Sequence, residues 1–252
     1  MNPIKFGATA LAATALLAAC SGDSAGPSVA GRQVAFQLAT NPAPAGGLAA
    51  LAGQEVIAVG SDTIVLTSVQ MVLREIELKR VGGIACDTAE VEDDCEEMEI
   101  DATLLDLPLG NGAQREFTVA IDTGSYGKIE FEIHKASSGD DSAFVALHPE
   151  FDDASIRVTG TYNGVAFTYV SDLDVEQEYS FNPPLAVTES TGANVTLFVD
   201  LGAWFLNQNA DGLIDPATAN KGGQLEGEVK SNIEASLNAF EDDDRDGEDD
   251  NS

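Results

Sequence analysis

Residues 117–134 read Phe-Thr-Val-Ala-Ile-Asp-Thr-Gly-Ser-Tyr-Gly-Lys-Ile-Glu-Phe-Glu-Ile-His. Phe117, Val119 and Ile121 alternate with Thr118 and Ala120, and Asp122-Thr123-Gly124-Ser125 supplies a turn. Ile129, Phe131 and Ile133 then alternate with Lys128, Glu130, Glu132 and His134. Successive strand side chains point to opposite faces, so each run places its apolar set on one side. Together they read as a half-buried hairpin. The same rhythm spreads outward. Val34, Phe36 and Leu38 alternate, and residues 63–79 form a β-rich run that suits two strands or one bent strand. Ile156, Val158 and Thr161-Tyr162 lead into Asn163-Gly164, and Val165, Phe167 and Tyr169 follow it. Asn-Gly between alternating runs is the strongest short hairpin signal. Tyr179 with Phe181, and Val195 with Leu197 and Val199, add further strands. Seven to nine such segments predict a mainly β fold, an antiparallel sandwich of prealbumin or immunoglobulin type. One amphipathic helix is predicted over residues 224–240, where Val229, Ile233, Leu237 and Phe240 form a stripe. Residues 45–52 suit a short helix or a linker.

The amino terminus reads as an address. Residues 6–19 are apolar or small behind a single Lys5. They are too few to cross a bilayer, which takes about 20 residues, but they suit a signal peptide. Leu17-Ala18-Ala19-Cys20 resembles the bacterial lipobox. The resemblance implies cleavage before Cys20, lipid on its sulfur and anchoring in the cell envelope, with Ser21 favouring the outer membrane. Residues 20–31 would then be the lipidated Cys and a flexible tether. Cys86 and Cys95 remain. In an oxidising compartment such a pair is expected as a disulfide; thiolate metal binding is the alternative, but nearby His is lacking. The chain carries 43 Asp and Glu against 12 Lys and Arg, a net charge of −31. That surface repels phosphate backbones and argues against nucleic-acid binding. Salt-adapted proteins carry similar surfaces.

Residues 66–80, 102–112 (ATLLDLPLGNG) and 117–134 resemble an uncharacterised family of bacterial envelope lipoproteins with prealbumin-like β-sandwich domains. The resemblance covers about two thirds of the chain. It implies a sandwich and carries over no catalytic residue.

Two stretches resemble EF-hand and dockerin calcium loops. In Asn207-Gln208-Asn209-Ala210-Asp211-Gly212-Leu213-Ile214-Asp215, the ligand places fall on Asn207, Asn209, Asp211, the carbonyl of Leu213, and Asp215. Thr218 at the twelfth place is no acid, so the site should be weak. In Asp242-Asp243-Asp244-Arg245-Asp246-Gly247-Glu248-Asp249-Asp250 they fall on Asp242, Asp244, Asp246, Glu248 and Asp250. Glycine at the sixth place serves the sharp turn. Residues 241–250 hold eight acids and one Arg, costly to gather without a cation. Bound Ca²⁺ is the expected cofactor; a polar turn and a solvated acidic tail are the plainer readings.

Motifs of serine hydrolases, zinc proteases, nucleotide loops and dithiol oxidoreductases are absent from the sequence. His134 is expected as a solvated side chain on a polar strand face, and His148-Pro149-Glu150-Phe151-Asp152-Asp153 as an acidic inter-strand loop, a metal site from its His, Glu and Asp being the alternative. Trp204 and Phe205 are expected to pack the helix on the sandwich, although Trp204, Tyr162 and Tyr169 could form an exposed glycan platform. The organisation read from these signals is a signal peptide (1–19), a tether (20–31), a sandwich (32–202) and a helical segment with acidic loops (203–252). The functional expectation is a lipid-anchored, non-enzymatic envelope module that binds a ligand or partner, membrane-attached through its lipid. The alternatives are a calcium-dependent glycan or polymer binder and, behind it, a carboxylate hydrolase.

Overall fold

Asn163-Gly164 forms the turn its sequence favours. In the computed structural model, which describes residues 31–40, 53–81, 101–110 and 112–250, these two residues hold φ of 49° and 80°. They join β7 (Ile156–Tyr162) to β8 (Val165–Ser171) with Tyr162 opposite Val165. A two-residue loop that follows the strand twist needs left-handed backbone at both positions, which Asn and Gly tolerate.

The β-rich run near residues 63–79 is a single strand, β3 (Asp62–Arg80). Its first half pairs with β7 and with β2 (Glu55–Val59), its middle with β4 (Thr103–Asp106), and its second half with β6 (Gly124–Ile133). Register slips between Arg74 and Glu77, where Glu75 takes φ 52°. Such a bulge lets one long strand bend and serve several partners. β6 pairs onward with β9 (Val175–Val187), completing a seven-stranded sheet.

The second sheet has four strands in the order β11-β10-β1-β5, with β11 spanning Leu237–Glu241. β1 (Gln33–Thr40) lies parallel to β10 (Ala193–Val199) and antiparallel to β5 (Gly112–Ala120). The two sheets enclose a core of Val34, Phe36, Leu38, Ile64, Leu66, Phe131 and their neighbours. The architecture is therefore the expected sandwich, antiparallel except for the β1–β10 pair.

Two expectations are corrected. Residues 117–134 are not a hairpin: β5 joins β1 in one sheet and β6 joins β3 and β9 in the other. Period-2 alternation says which face of a strand is buried but not which strand lies beside it. The connection crosses the sandwich edge, held by Ile121 N–H to Arg32 O (3.0 Å) and by Tyr126 Oη donating to Asp122 O (2.7 Å). The helix is also shorter. α3 spans Glu226–Ala235, and Leu237–Glu241 is strand β11 on the open edge of β10. Spacings of four and three put Leu237 and Phe240 on the helix stripe, yet Leu237 and Ala239 also alternate inward as a strand does. The unpaired edge of β10 decides the outcome. Strand β11 thus ties the end of the 203–252 segment into the sandwich.

Two short helices, α1 (Ser142–Leu147) and α2 (Pro216–Ala219), and two 3-10 turns, Pro149–Phe151 and Leu201–Ala203, lie between the strands. Among the described residues no helix is long and apolar enough to cross a membrane. The signal, lipobox and tether positions through residue 30, including Cys20, the 45–52 stretch, and Cys86 and Cys95 lie outside the described residues.

Candidate functional site

β11 delivers Asp242 to the face of the four-stranded sheet that points away from the core. Gln37 and Thr196 are direct partners in the β1–β10 register and alternate with the core residues Phe36 and Leu197, so both project from that outer face. The Asp242 carboxylate closes over them. Thr196 Oγ1 donates to Oδ2 (2.7 Å), Gln37 Nε2 donates to the same oxygen, and Asp242 N–H donates to Asn194 O (3.1 Å). The following turn wraps back on the same carboxylate. Asp246 N–H reaches Oδ1 (3.1 Å) and Gly247 N–H reaches Oδ2 (3.0 Å). Arg245 at φ 62° and Gly247 at φ 86° set the turn, and Arg245 Nε donates to Asn194 Oδ1 (2.9 Å). Asp242 is fully buried.

Around this anchor the ligand atoms of Asp242, Asp244 and Asp250 lie within 4.8 Å of one another, a group that could hold a metal ion. Partial desolvation and the charges of Asp246, Asp250 and Asp242 hold the Asp244 carboxyl above its ordinary range, against the hydrogen bond it accepts from Asp246 N–H. Asp246 and Glu248 are not in the group. Asp246 Oδ1 accepts from Glu248 N–H (2.8 Å) instead.

The earlier loop, residues 207–215, forms differently. Asn207 Oδ1 accepts from Asn209 N–H and Asp211 N–H (both 3.2 Å), and Asn207 Nδ2 donates to Asp211 Oδ1 (2.9 Å). The side chain of Asp215 caps α2 through Ala217 N–H (2.9 Å). Leu213 is buried and bridges Leu206, and Asn209 is exposed. The side chains at the first and fifth places are spent on one another and the ninth on a helix cap.

Trp204 and Tyr169 are fully buried, so the exposed aromatic platform is overturned. Trp204 Nε1 donates to Ser236 Oγ (2.8 Å), and Tyr169 packs edge-on against Phe205 with ring centroids 5.3 Å apart. Tyr162 is half-buried against the core. His148 stacks near Phe144 (4.9 Å between centroids) and stands 3.9 Å from Glu150, as a loop residue.

His134 differs from its expectation. Its side chain is 8% exposed, not solvated. It does sit on the polar face of β6, but the chain leading into α1 folds over that face and brings Asp141 against it. His134 Nε2 and Asp141 Oδ2 are 2.8 Å apart. Burial works to raise the Asp141 carboxyl, yet hydrogen bonds from His134 and Ser137 N–H, with the charges of His134 and Arg74, hold it below the usual range. On the other side of the ring, Nδ1 stands 3.6 Å from Glu132 Oε1 and 3.8 Å from Asp174 Oδ1. Glu132, His134 and Asp174 form the second group of ligand atoms within 4.8 Å of one another. Glu132 and His134 are spaced as neighbours on one strand face. The contribution of Asp174, 40 positions on, comes from the β6–β9 pairing and left no signal in the sequence.

Carboxylate pairs occur elsewhere on this face. Glu176 is pushed up to about 7, first by its hydrogen bond with Glu130 and then by that residue's charge, while Lys79 pairs with Glu130. Neither acid lines the cleft of about 820 Å³ between β4 and α1, whose walls include Arg74, Thr103, Asp141, Phe144 and His148.

No family model matches the chain, and no curated protein matches it. Among solved structures, MbnP from Methylosinus trichosporium is similar over 70% of this chain and 78% of its own, at 13% identity and a TM-score of 0.38. A likeness that loose assigns neither fold nor function.

Proposed function

We propose that this chain is a lipid-anchored, non-enzymatic cell-envelope module, a β-sandwich that binds a ligand or partner and uses Ca²⁺ to lock its C-terminal edge. The observation that carries the calcium reading is the buried Asp242 carboxylate. It ties β1, β10 and the last turn together and sits with Asp244 and Asp250 within 4.8 Å. Oxygen donors alone, several of them charged, suit a hard cation. A bound Ca²⁺ would relieve the repulsion that holds Asp244 up, and would fasten the turn to the sheet. The lipobox-like Leu17-Ala18-Ala19-Cys20 supports the anchor. The cleft between β4 and α1 offers a ligand-sized cavity whose rim carries Asp101, Asp106, Asp140 and Asp141 against Arg74, favouring a neutral or cationic ligand.

Calorimetric titration of Ca²⁺, with Mg²⁺ and NaCl as controls, tests the calcium reading. The expected result is a saturable isotherm that disappears in Asp244→Ala and Asp250→Ala and survives in Asp211→Ala. A flat isotherm for the native chain removes it. The anchor is tested separately by fractionating cells that express Cys20→Ala, which is expected to leave the membrane fraction.

A further inference from the structure

We propose that Glu132, His134 and Asp174 form a binding site for a borderline divalent transition-metal ion such as Zn²⁺. His134 Nδ1 is buried and has no hydrogen-bond partner. It is nevertheless aimed at Glu132 Oε1 (3.6 Å) and Asp174 Oδ1 (3.8 Å). A carboxylate only accepts, so the 2.8 Å contact with Asp141 makes Nε2 the ring's donor. In the neutral ring the Nδ1 lone pair then faces two carboxylate oxygens. Three lone pairs converging beside the buried imidazole repel one another, and a cation among them turns that repulsion into coordination.

The surroundings fix each donor. Arg74 Nε (3.0 Å) and Nη2 (2.8 Å) hold Glu132 Oε2, leaving Oε1 toward the ring. Lys135 N–H donates to Asp174 Oδ1 (3.0 Å), leaving that oxygen a second lone pair. Asp141, itself held by Ser137 N–H (3.0 Å), orients the imidazole from behind. A carboxylate behind a ligating histidine is the arrangement that sets the ring's tautomer in metal sites. Tetrahedral bonds of about 2.1 Å put ligand atoms about 3.4 Å apart. The two distances from Nδ1 exceed that by only a few tenths of an ångström. One imidazole nitrogen with two carboxylates suits a borderline ion better than Ca²⁺, which favours all-oxygen shells. The Asp174 side chain is 50% exposed, so the site opens to solvent there and leaves a fourth position for water or for a donor atom of a ligand.

This site shares no residue with the Asp242 turn, so the two readings fail independently. The test titrates Co²⁺, then Zn²⁺, into the full chain with Ca²⁺ saturating. The expected result is one equivalent of Co²⁺ with a visible d–d absorption band that Zn²⁺ abolishes. His134→Gln and Asp174→Asn are each expected to weaken binding at least about tenfold, and Asp141→Asn by about 10- to 100-fold. Asp250→Asn is expected to leave it unchanged. Asp174→Asn guards against loss of folding in the histidine variant: its side chain is half exposed, and Asn still accepts from Lys135. No saturable uptake by the native chain, or uptake undiminished in Asp174→Asn, overturns the proposal.

Discussion

The turns at 207–215 and 242–250 have the same layout: an Asn or Asp at the first, third and fifth places and Gly at the sixth. They also share left-handed backbone at the fourth, with φ of 54° at Ala210 and 62° at Arg245. They diverge at the first place. Asn207 is half-exposed and spends its amide on the loop's own N–H groups and on Asp211. Asp242 is buried and spends its carboxylate on two strands as well as on the turn. The sixth place differs too. Gly247 stands at φ 86°, where only glycine is comfortable, whereas Gly212 is outside the left-handed region and is crowded only by Asn207 Nδ2, 3.0 Å from where a Cβ would be. A motif therefore describes a turn's shape; what lies beneath its first residue decides its role.

The sharpest break of this contrast is truncation at the first place. Asp242→Ala strands the Gln37 and Thr196 donors and is expected to cost about 3 kcal/mol or more, measured by urea unfolding. Asn207→Ala, in solvent reach, should cost under about 1 kcal/mol. Equal losses would collapse the distinction.

The first turn leans on α3 instead, through Gln208 N–H donating to Glu228 Oε1 (2.8 Å), and α3 is itself tied to the sandwich. Asp172 ties the end of β8 to Lys221 beyond α2 (3.1 Å) and to Lys230 of α3. Burial alone would raise its carboxyl, but the hydrogen bonds and charges of Lys230 and Lys221 pull it from 3.8 to about 2. A depressed carboxylate contributes fully above the unfolded value and fades as pH falls through the folded one. Asp172→Asn is therefore expected to cost about 2 kcal/mol at pH 7, with the difference shrinking as pH falls through 4 and vanishing only below about pH 2. Thermal melts of both proteins across that interval would check it.

Gly247→Ala forces a side chain into left-handed backbone and should cost about 1–2 kcal/mol. Gly212→Ala should cost less, because Asn207 Nδ2 can move aside. Smallest of all is Asp211→Asn, expected within about 0.5 kcal/mol and without effect on Ca²⁺ uptake. A measurable loss of uptake there would restore the first turn as a site.

What the sequence made legible was local. Asn163-Gly164 announced its hairpin because the turn chemistry and both strands are contiguous. Residues 117–134 showed two strands but not their separation, since alternation is silent about neighbours. Leu237 and Phe240 fitted helix and strand alike until the edge of β10 was there to choose. His134 was placed on the correct face, yet its burial depends on the chain before α1, and its juxtaposition with Asp174 depends on strand pairing. The aspartates of the last turn were visible as ligand candidates; that one of them is buried under the outer face of a sheet was not.

The central position of β1 bears on how the chain assembles in time. The first strand of the described chain meets β5 first, yet its other neighbour begins at Ala193, and the side chain that closes over Gln37 is 205 positions away. Contacts that distant are slow to form. A chain emerging amino end first holds one edge of β1 open until β10 has arrived, and Asp242 closes over Gln37 later still. Closure of this sheet therefore waits on residues made long after β1 itself.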